Sequence, residues 1–583
     1  MRKWTAGALA ISCSIFLVSC SGDKPVPAVE PVASEAFRTF VDDYFQALFE
    51  FSPTLGTASG FHEYDGKLED YSAAAFQARI IALRSMGVRL AGLRRQKLAA
   101  DDAIDAAILD GQINSELQDI HVLETWRHNP KNYIELPGGA IDLLIKRDFA
   151  PAPARLRSTI LRLRQIPKVM QDLRANMTTP PKEFTQIAIE EASGSVGFFR
   201  DTLTAWAKEA AGGDDALLKD FEIANKGAVH AFEDAVKYLK TDLLPKSTGN
   251  YAIGAKNFSN KLIWEEMVDL PLEKVLAIGE ANLAKDYRDF VETARKIDPG
   301  KTPAQVMKLI SNDHPTAETL VSSAKNTIES IRQFIVEKKI ITIPSEVRPT
   351  IMETPPYARS GSFASMDTPG AYEKKAKEAF YYITPPEKNW SAKETEEHLR
   401  LYNKPVMDLI TIHEAYPGHF VQFLYASKFP TKTRKLLYCS SNVEGWAHYS
   451  EQMMLEEGFG GGDLKIRMAQ LSEALLRDVR YVVGIKLHTQ NMTVEQGRDM
   501  FVAMAFQEPK VGYGEARRGA FNPTYLYYTL GKLEILKLRE DYKKARGNTF
   551  SLETFHNEFV KQGGVPVKVI RQILLPGDTG TIL

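Results

Sequence analysis

The chain has 583 residues, of which 44% are hydrophobic and 25% are charged, a composition typical of a folded protein with a large core. Its 73 basic and 74 acidic residues balance each other, and no long run of one sign occurs. This pattern excludes the charge signature of a nucleic-acid-binding protein or of a polycation that adsorbs to membranes. We therefore expect a small or peptidic partner and no nucleic acid.

Residues 1–19 have the pattern of a secretory signal peptide. Arg2 and Lys3 precede an apolar run that is shorter than the roughly 20 residues needed to span a bilayer. The run ends in Leu-Val-Ser-Cys, which resembles a bacterial lipobox with Cys20 as the lipid-bearing first residue of the mature chain. Residues 20–34 then form the predicted lipidated tether. A plain cleaved signal or an N-terminal anchor helix is the alternative.

This terminus predicts a periplasmic lipoprotein of the cell envelope, held at the membrane by the lipid on Cys20. Serine rather than aspartate follows Cys20, which favours the outer membrane if the host is Gram-negative. Cys13 leaves with the signal and Cys20 is acylated, so Cys439 stands alone. The mature chain is therefore predicted to have no intrachain disulfide.

Residues 35–338 are predicted to form an N-terminal helical region, because apolar residues recur at three- and four-residue spacing from 35 to 245. Further helices are predicted at about 271–295, 303–311 and 317–338. Residues 339–390 are rich in proline, β-branched and aromatic residues and predict a small β-rich insert.

Residues 391–583 form the predicted C-terminal helical region that carries the catalytic site. Helices are expected at about 391–401, 405–428, 435–457, 463–489, 493–507, 523–546 and 551–561. The chain as a whole is therefore predicted to be mainly α, with one small β-sheet insert.

The stretch TIHEAYPGHF at 411–420 places a His-Glu pair, His413 and Glu414, shortly before His419. Zinc sites bring His, Glu or Cys side chains to about 2 Å from one ion, and a catalytic site keeps one position for water. Residues four apart share a face of a helix, whereas residues six apart point away from each other. A continuous helix would therefore keep the two histidines from binding one ion.

Pro417 and Gly418 remove this obstacle. Proline lacks an amide hydrogen and its ring clashes with the carbonyl four residues back, while glycine accepts backbone angles that other residues avoid. We predict that the helix breaks or bulges here and turns His419 toward His413.

A third ligand is predicted from the next helix, at Glu444 in EGWAHYSEQ, 25 residues after His419. Glu414 is then not a ligand but the general base that takes a proton from the attacking water. Glu451 and His448 follow Glu444 on the same face and are expected to support the ligands or contact the substrate. The alternative is a chance His-Glu pair and a solvent-exposed Glu444.

Several segments of the chain together resemble a large bacterial family of lipoproteins and secreted proteins catalogued as domain of unknown function 885. The segments are HEAYPGHFVQ, EGWAHYSEQ, RDVRYVVGIKLH, EARRGAFNPTYLYYTLGKLEILKLRE and FSPTLGTASGFHEYDGKLED. That family is similar to zinc peptidases of the gluzincin type, which bind zinc with two His and one Glu on a mostly helical fold. The resemblance spans nearly the whole mature chain and implies a multi-helical, two-lobed, peptidase-like fold with a central cleft.

The family's motif His-Glu-x-x-Pro-Gly-His falls on residues 413–419, and its motif Glu-Gly-Trp-Ala falls on residues 444–447. The resemblance therefore implies one zinc ion held by His413, His419 and Glu444.

Family members often carry an Arg and a Tyr near the C-terminus, matched here by Arg518 and Tyr528. A peptide hydrolase needs a donor for the oxyanion and a cation for a substrate carboxylate. We predict Tyr528 or Tyr525 as the donor, Arg518 as the cation, and His488 and His448 as further substrate contacts. Alternatively, the tyrosines belong to the core and Arg518 forms a structural salt bridge.

The sequence thus predicts an exported, membrane-tethered zinc metallohydrolase that cleaves peptide amide bonds. One alternative is an amidase for cell-wall peptides at the same metal site. Another is a binding lipoprotein without catalytic activity, which Glu414 beside a ligand argues against. The sequence leaves the physiological substrate, the bound metal, endo- versus exopeptidase action and the oligomeric state open.

Overall fold

The structure is a computed structural model that describes residues 32–355, 358–359 and 362–583. The predicted signal peptide and the predicted acylation site, Cys20, lie outside these residues. Within them, no helix combines the length and apolar character that a membrane crossing requires.

Most of the described chain is helical. The α-helices are α1 (Val32–Phe51), α2 (Pro53–Ser59), α3 (Ala73–Arg94), α4 (Ala100–Leu117), α5 (Thr125–His128), α6 (Lys131–Ile145), α7 (Ala152–Leu163), α8 (Ile166–Asn176), α9 (Lys182–Gly197), α10 (Leu203–Ala210), α11 (Asp215–Tyr238), α12 (Ala255–Glu265), α13 (Leu272–Ile297), α14 (Pro303–Ser311), α15 (Leu320–Lys338), α16 (Ala392–Arg400), α17 (Lys404–Glu414), α18 (His419–Leu424), α19 (Lys432–Leu436), α20 (Ser440–Glu456), α21 (Leu464–Thr489), α22 (Val494–Ala505), α23 (Pro509–Phe521), α24 (Tyr527–Arg546), α25 (Leu552–Val560) and α26 (Val567–Leu574).

Short 3-10 and π-helical turns extend or join several of these helices. The 3-10 turns are His62–Tyr64, Leu244–Lys246, Ala426–Lys428, Phe459–Gly462 and Gly547–Thr549, and the π-helical turns are Gln118–Val122, Phe198–Thr202 and Leu239–Leu243.

Three strands form one small sheet inside the predicted β-rich insert. Strands β1 (Thr350–Glu353), β2 (Ala364–Asp367) and β3 (Phe380–Ile383) are arranged in the order β1-β3-β2. β1 runs parallel to β3 with Thr350 opposite Phe380, and β2 runs antiparallel to β3. All four β3 residues are buried. The prediction of a mainly α protein with a small sheet is confirmed.

Two predicted helices are each split in the structure. The helix predicted at 405–428 is divided into α17 and α18, and the helix predicted at 435–457 is divided into α19 and α20. Between α19 and α20 the chain is extended, and the amide of Cys439 donates to the carbonyl of Gly564 at 2.5 Å. This hydrogen bond ties the start of α20 to the segment before α26.

Three helices lie where the periodicity predicted none, namely α12, α23 and α26. The sequence of α23, PKVGYGEARRGAF, is rich in glycine and charge, and its buried residues are small. Its helical form therefore depends on packing against neighbouring helices more than on its own propensity.

The buried apolar residues form three main clusters. The largest joins α1, α3 and α4 to the sheet, α17, α20 and the C-terminal helices. A second lies among α6 to α11, and a third joins α12 to α14 with α21 to α24. The domain boundaries, the two lobes and the central cleft stay predictions.

Candidate metal centre

The HEAYPGH segment leaves the helix completely before the second histidine. α17 ends at Glu414, Gly418 has non-helical backbone angles, and α18 begins at His419. A side chain at Gly418 would collide with the carbonyl oxygen of His413. The Pro-Gly pair breaks the helix as predicted, but by a four-residue connection rather than a bulge within one helix.

The break brings His413 and His419 together with Glu444 of α20. The Nε2 atoms of both histidines lie 3.4 Å from Oε2 of Glu444. The two imidazole rings are 4.8 Å apart between centroids and nearly perpendicular. Both histidines are buried, and Glu444 is partly exposed. The three predicted ligands therefore converge on one point that is accessible from the Glu444 side.

The spacing and chemistry of these donors fit a divalent metal ion such as zinc. The three ligand atoms all lie within 4.8 Å of one another. Two ligands about 2.05 Å from one ion at the tetrahedral angle would be about 3.3 Å apart, which agrees with the two measured nitrogen-to-oxygen distances of 3.4 Å. Two imidazoles and one carboxylate are a ligand set that zinc accepts.

The electrostatics of this site favour positive charge at its centre. Burial alone would raise the pKa of Glu444, but the imidazoles of His413 and His419 hold that pKa well below its usual range. Burial lowers the pKa of His413, whereas hydrogen bonds to Glu444 and Glu451 raise it, with a net result of about 9. A metal ion would therefore compete with a proton at this ring.

Glu414 lies beside the three ligands but is not one of them. Its side chain is buried, and its Oε2 has no hydrogen-bond partner in the part of the chain that the structure describes. Burial raises the pKa of Glu414, and the nearby charges of His419 and His413 lower it. An unpartnered buried carboxylate next to a candidate metal site is a suitable proton acceptor.

Glu451 binds His413 through the ring nitrogen that does not face Glu444. Nδ1 of His413 donates to Oε1 of Glu451 at 2.7 Å, which directs the other ring nitrogen toward Glu444. His448 donates through Nδ1 to Oε2 of the same carboxylate at 3.2 Å, and Arg477 lies 3.3 Å from Oε1. Glu451 is thus fully engaged by three cationic or polar partners.

Trp446 and two glycines fix the position of α20, and the sequence patterns predicted no role for any of the three. The indole Nε1 of Trp446 donates to the carbonyl of Pro417 at 3.0 Å, so that α20 is tied to the helix break. Gly445 packs against the backbone of Gly531 on α24. The helix break leaves the carbonyl of Pro417 without a helical hydrogen bond. A break predicted from the sequence therefore also indicates that a donor from another segment, here Trp446, is needed.

Tyr528 lies near the candidate ligand His413, and Arg518 contacts Tyr528. The ring of Tyr528 is 6.5 Å from the ring of His413 between centroids. Nη2 of Arg518 donates to the hydroxyl oxygen of Tyr528 at 3.0 Å. The structure thus brings this predicted pair to the site together.

Three other predicted site residues are buried and contact groups other than the three candidate ligands, namely Tyr525, His488 and His448. Tyr525 is fully buried, packs against Gly484 and Gly519, and directs its hydroxyl to the carbonyl of Glu515 at 3.4 Å. His488 is buried near α12, and its Nε2 donates to the carbonyl of Gly519 at 2.8 Å.

Both buried histidines favour the neutral form. Burial lowers the pKa of His488 to about 4. Burial, with the charge of Lys532, lowers the pKa of His448 to about 3, and this ring lies behind Glu451. The contacts of Tyr525, His488 and His448 are those of packing and support.

The fold and the site together define a class: a large, mainly α protein with two histidines and a glutamate converging across a broken helix. The chain belongs to the family described as bacterial protein of unknown function, DUF885, whose family model matches residues 53–574. No curated protein matches the chain.

Two solved structures are similar over most of their length. One, from Shewanella oneidensis, is described as a "putative lipoprotein of unknown function"; it is 27% identical, with a TM-score of 0.75, and the match covers 92% of this chain and 99% of the other. The second, a "putative lipoprotein" from Colwellia psychrerythraea, is 19% identical, with a TM-score of 0.78, and the match covers 93% and 99% of the two chains. The second likeness concerns the fold alone.

Proposed function

We propose that this protein is a metallohydrolase that cleaves peptide amide bonds, with His413, His419 and Glu444 holding one divalent ion, zinc by preference. The observation that carries the proposal is the convergence of these three side chains beside Glu414, a buried carboxylate with an unpartnered oxygen. A purely structural metal site has no need of such a neighbour.

The proposed reaction is hydrolysis of an amide. A bound divalent ion supplies Lewis acidity, which polarises a carbonyl group and lowers the pKa of water. Glu414 accepts a proton from the attacking water, whose oxygen becomes bonded to the carbonyl carbon. The carbon-nitrogen bond then breaks, and Glu414 passes the proton to the leaving amine, giving one acid and one amine.

Tyr528 is the proposed donor to the developing oxyanion. A guanidinium can only donate hydrogen bonds, so the Tyr528 oxygen accepts from Arg518 and its own hydrogen stays available. The hydroxyl of Tyr525 is directed to the Glu515 carbonyl instead. This difference supports Tyr528 over Tyr525 for the role.

The proposed location is the cell envelope. The similar solved structures are described as putative lipoproteins, and Cys20 of this chain follows a lipobox-like sequence. We propose that a lipid on Cys20 tethers the protein to a membrane, with the outer membrane as the expected site. The likeness to gluzincin-type peptidases belongs to the same proposal.

The test is metal content and hydrolysis measured together on the full-length mature chain. We expect about one zinc per chain, hydrolysis of a peptide mixture by mass spectrometry, loss of hydrolysis with a chelator, and recovery on adding zinc. Glu414→Gln should keep the zinc and lose activity by about 10²- to 10⁴-fold. Glu397→Gln, at an exposed pair with Lys393 on α16, is the matched control.

Two outcomes would overturn the proposal. A protein that binds no divalent ion, or a Glu414→Gln variant as active as the wild type, removes the proposed mechanism. Cleavage of muropeptides without cleavage of ordinary peptides would instead identify a cell-wall amidase. Metal binding without any hydrolysis would favour a binding lipoprotein.

A further inference from the structure

Three arginines surround the ring of Tyr528. The Cζ atoms of Arg480, Arg477 and Arg518 lie 5.0, 5.7 and 5.9 Å from the ring centroid. Such a concentration of guanidinium groups beside one phenol needs compensating negative charge. Two of the three arginines have carboxylate partners within the described residues, and the third does not.

Arg480 and Arg477 each have carboxylate partners within the protein. Arg480 makes two hydrogen bonds to Glu515, at 2.7 and 2.8 Å. Arg477 binds Glu473 at 2.7 Å and lies 3.3 Å from Glu451. Both charges are therefore compensated by the fold itself.

Arg518 has no carboxylate within ion-pair distance in the part of the chain that the structure describes. Its hydrogen bond to Tyr528 uses one nitrogen, and a guanidinium has five N–H donors. The side chain is half-buried, and its remaining donors make no other hydrogen bond within the described residues. A half-buried guanidinium with free N–H donors and no carboxylate partner favours binding of an anion. Carboxylates match its planar, two-pronged donor geometry.

The distance from Arg518 to the candidate metal centre limits what this anion can be. The His413 and Tyr528 ring centroids are 6.5 Å apart, and the Tyr528 oxygen is 3.0 Å from Arg518. With the half-length of a phenol group added, the path from the His413 ring centroid to Arg518 is at most about 12 Å, which an extended peptide covers in about three residues. A carboxylate on Arg518 therefore belongs to a group within about three residues of the bond at the metal centre.

We propose that Arg518 binds the free carboxyl terminus of a peptide, so that the site releases short carboxyl-terminal fragments of about three residues or fewer. The hydrolytic part of this inference rests on the proposed function, whereas carboxylate binding by Arg518 does not. Arg518 is a substrate-binding residue, and Tyr528 links it to the reacting carbonyl.

An internal Asp or Glu side chain offers the same carboxylate chemistry, and the experiment separates the two sources. Three peptides that share one sequence up to the last residue are compared: the free acid, the carboxyl-terminal amide, and an amide with aspartate as its last residue. Wild-type zinc-loaded protein should cleave the free acid about 10- to 100-fold faster than the plain amide, as expected for loss of a charged hydrogen bond. Equal cleavage of the aspartyl amide and the free acid would show that Arg518 binds an acidic side chain as well as a free carboxyl terminus, and would overturn the proposal.

Variants of Arg518 connect the preference to this residue. Arg518→Met should abolish the preference for the free acid, and Arg518→Lys should restore part of it, because lysine keeps the charge but loses the fork. Arg517→Met is the matched control, since the adjacent Arg517 pairs with Glu190 on α9. Thermal unfolding of each variant shows whether the fold is retained.

A binding measurement keeps the result independent of catalysis. Calorimetric titration of the Glu414→Gln protein with the free acid and the amide should show the same preference, and the Arg518→Met change should remove it. If the free acid binds more tightly than the amide but the wild type hydrolyses neither, the proposed function is contradicted and carboxylate binding by Arg518 is still supported. Equal binding of acid and amide overturns the inference whether or not hydrolysis occurs.

Discussion

Gly445 of α20 and Gly531 of α24 are in direct backbone contact, since a Cβ atom added to Gly445 would lie 2.5 Å from Cα of Gly531. Glu444 is the neighbour of Gly445, and Tyr528 lies one turn before Gly531. The close crossing of these two helices therefore sets the separation between a candidate metal ligand and the proposed oxyanion donor.

Gly531→Ala should destabilise the protein. A methyl group at this position would collide with the backbone carbonyl of Ser441 on α20, so the helices must move apart. We expect a loss of about 1–3 kcal/mol in the free energy of unfolding, measured by denaturant titration.

Gly227→Ala on α11 provides the control for that measurement. This glycine is exposed and has open space around its Cβ position, so alanine should stabilise by about 0.4–1 kcal/mol. Equal effects of the two substitutions would show that the crossing of α20 and α24 is not closely packed.

His419→Ala should weaken zinc binding by more than about 100-fold, beyond the 10- to 100-fold typical of changes outside the ligand shell. The reason is that one of three converging donors is lost. Competition with a chromophoric chelator measures the affinity. His230→Ala, at an exposed pair with Asp234, should leave the affinity unchanged; an equal loss in both variants would point to binding elsewhere.

Glu451→Gln should weaken zinc binding by about 10- to 100-fold without removing a ligand. The neutral amide is a poorer acceptor for Nδ1 of His413, so the ring is held less firmly in its ligating orientation. Glu473→Gln is the control, because Glu473 also binds Arg477 but makes no contact with His413 in the described chain. Equal affinities in the two variants would contradict a positioning role for Glu451.

Glu191 on α9 should make stability depend on pH. Burial raises its pKa to about 7, which the charge of Lys131 only partly offsets. Because the folded pKa is above the unfolded value of about 4.3, the contribution to stability is complete below about pH 4 and is lost as the pH rises through 7.

Glu191→Gln should therefore gain stability relative to the wild type between pH 5 and pH 8, by about 1–3 kcal/mol at the upper end. Denaturant titrations at the two pH values measure the difference. Glu135→Gln removes the exposed partner of the same lysine and should show a much smaller pH dependence. A difference for Glu191→Gln that is identical at pH 5 and pH 8 would refute this assignment.

The sequence predicted the helical architecture and the broken helix at Pro417-Gly418, because periodicity and backbone restrictions act locally. It also predicted that His413, His419 and Glu444 lie close together, since the 25 residues from His419 to Glu444 are enough for a connection and a returning helix. It did not predict α23 or the roles of Trp446 and Gly531, because these depend on which distant segments pack together. Tyr525 shows the same limit: tyrosines close in sequence have different environments, and only tertiary contacts separate them.

The glycine before the second histidine has a consequence for recognising sites of this kind in other genomes. A search pattern that requires histidines four residues apart passes over this chain, because its helix is interrupted. A pattern with six-residue spacing and an obligatory glycine immediately before the second histidine would retrieve it. Gly418 is the residue to hold fixed in that pattern, since any larger side chain would strike the carbonyl oxygen of His413.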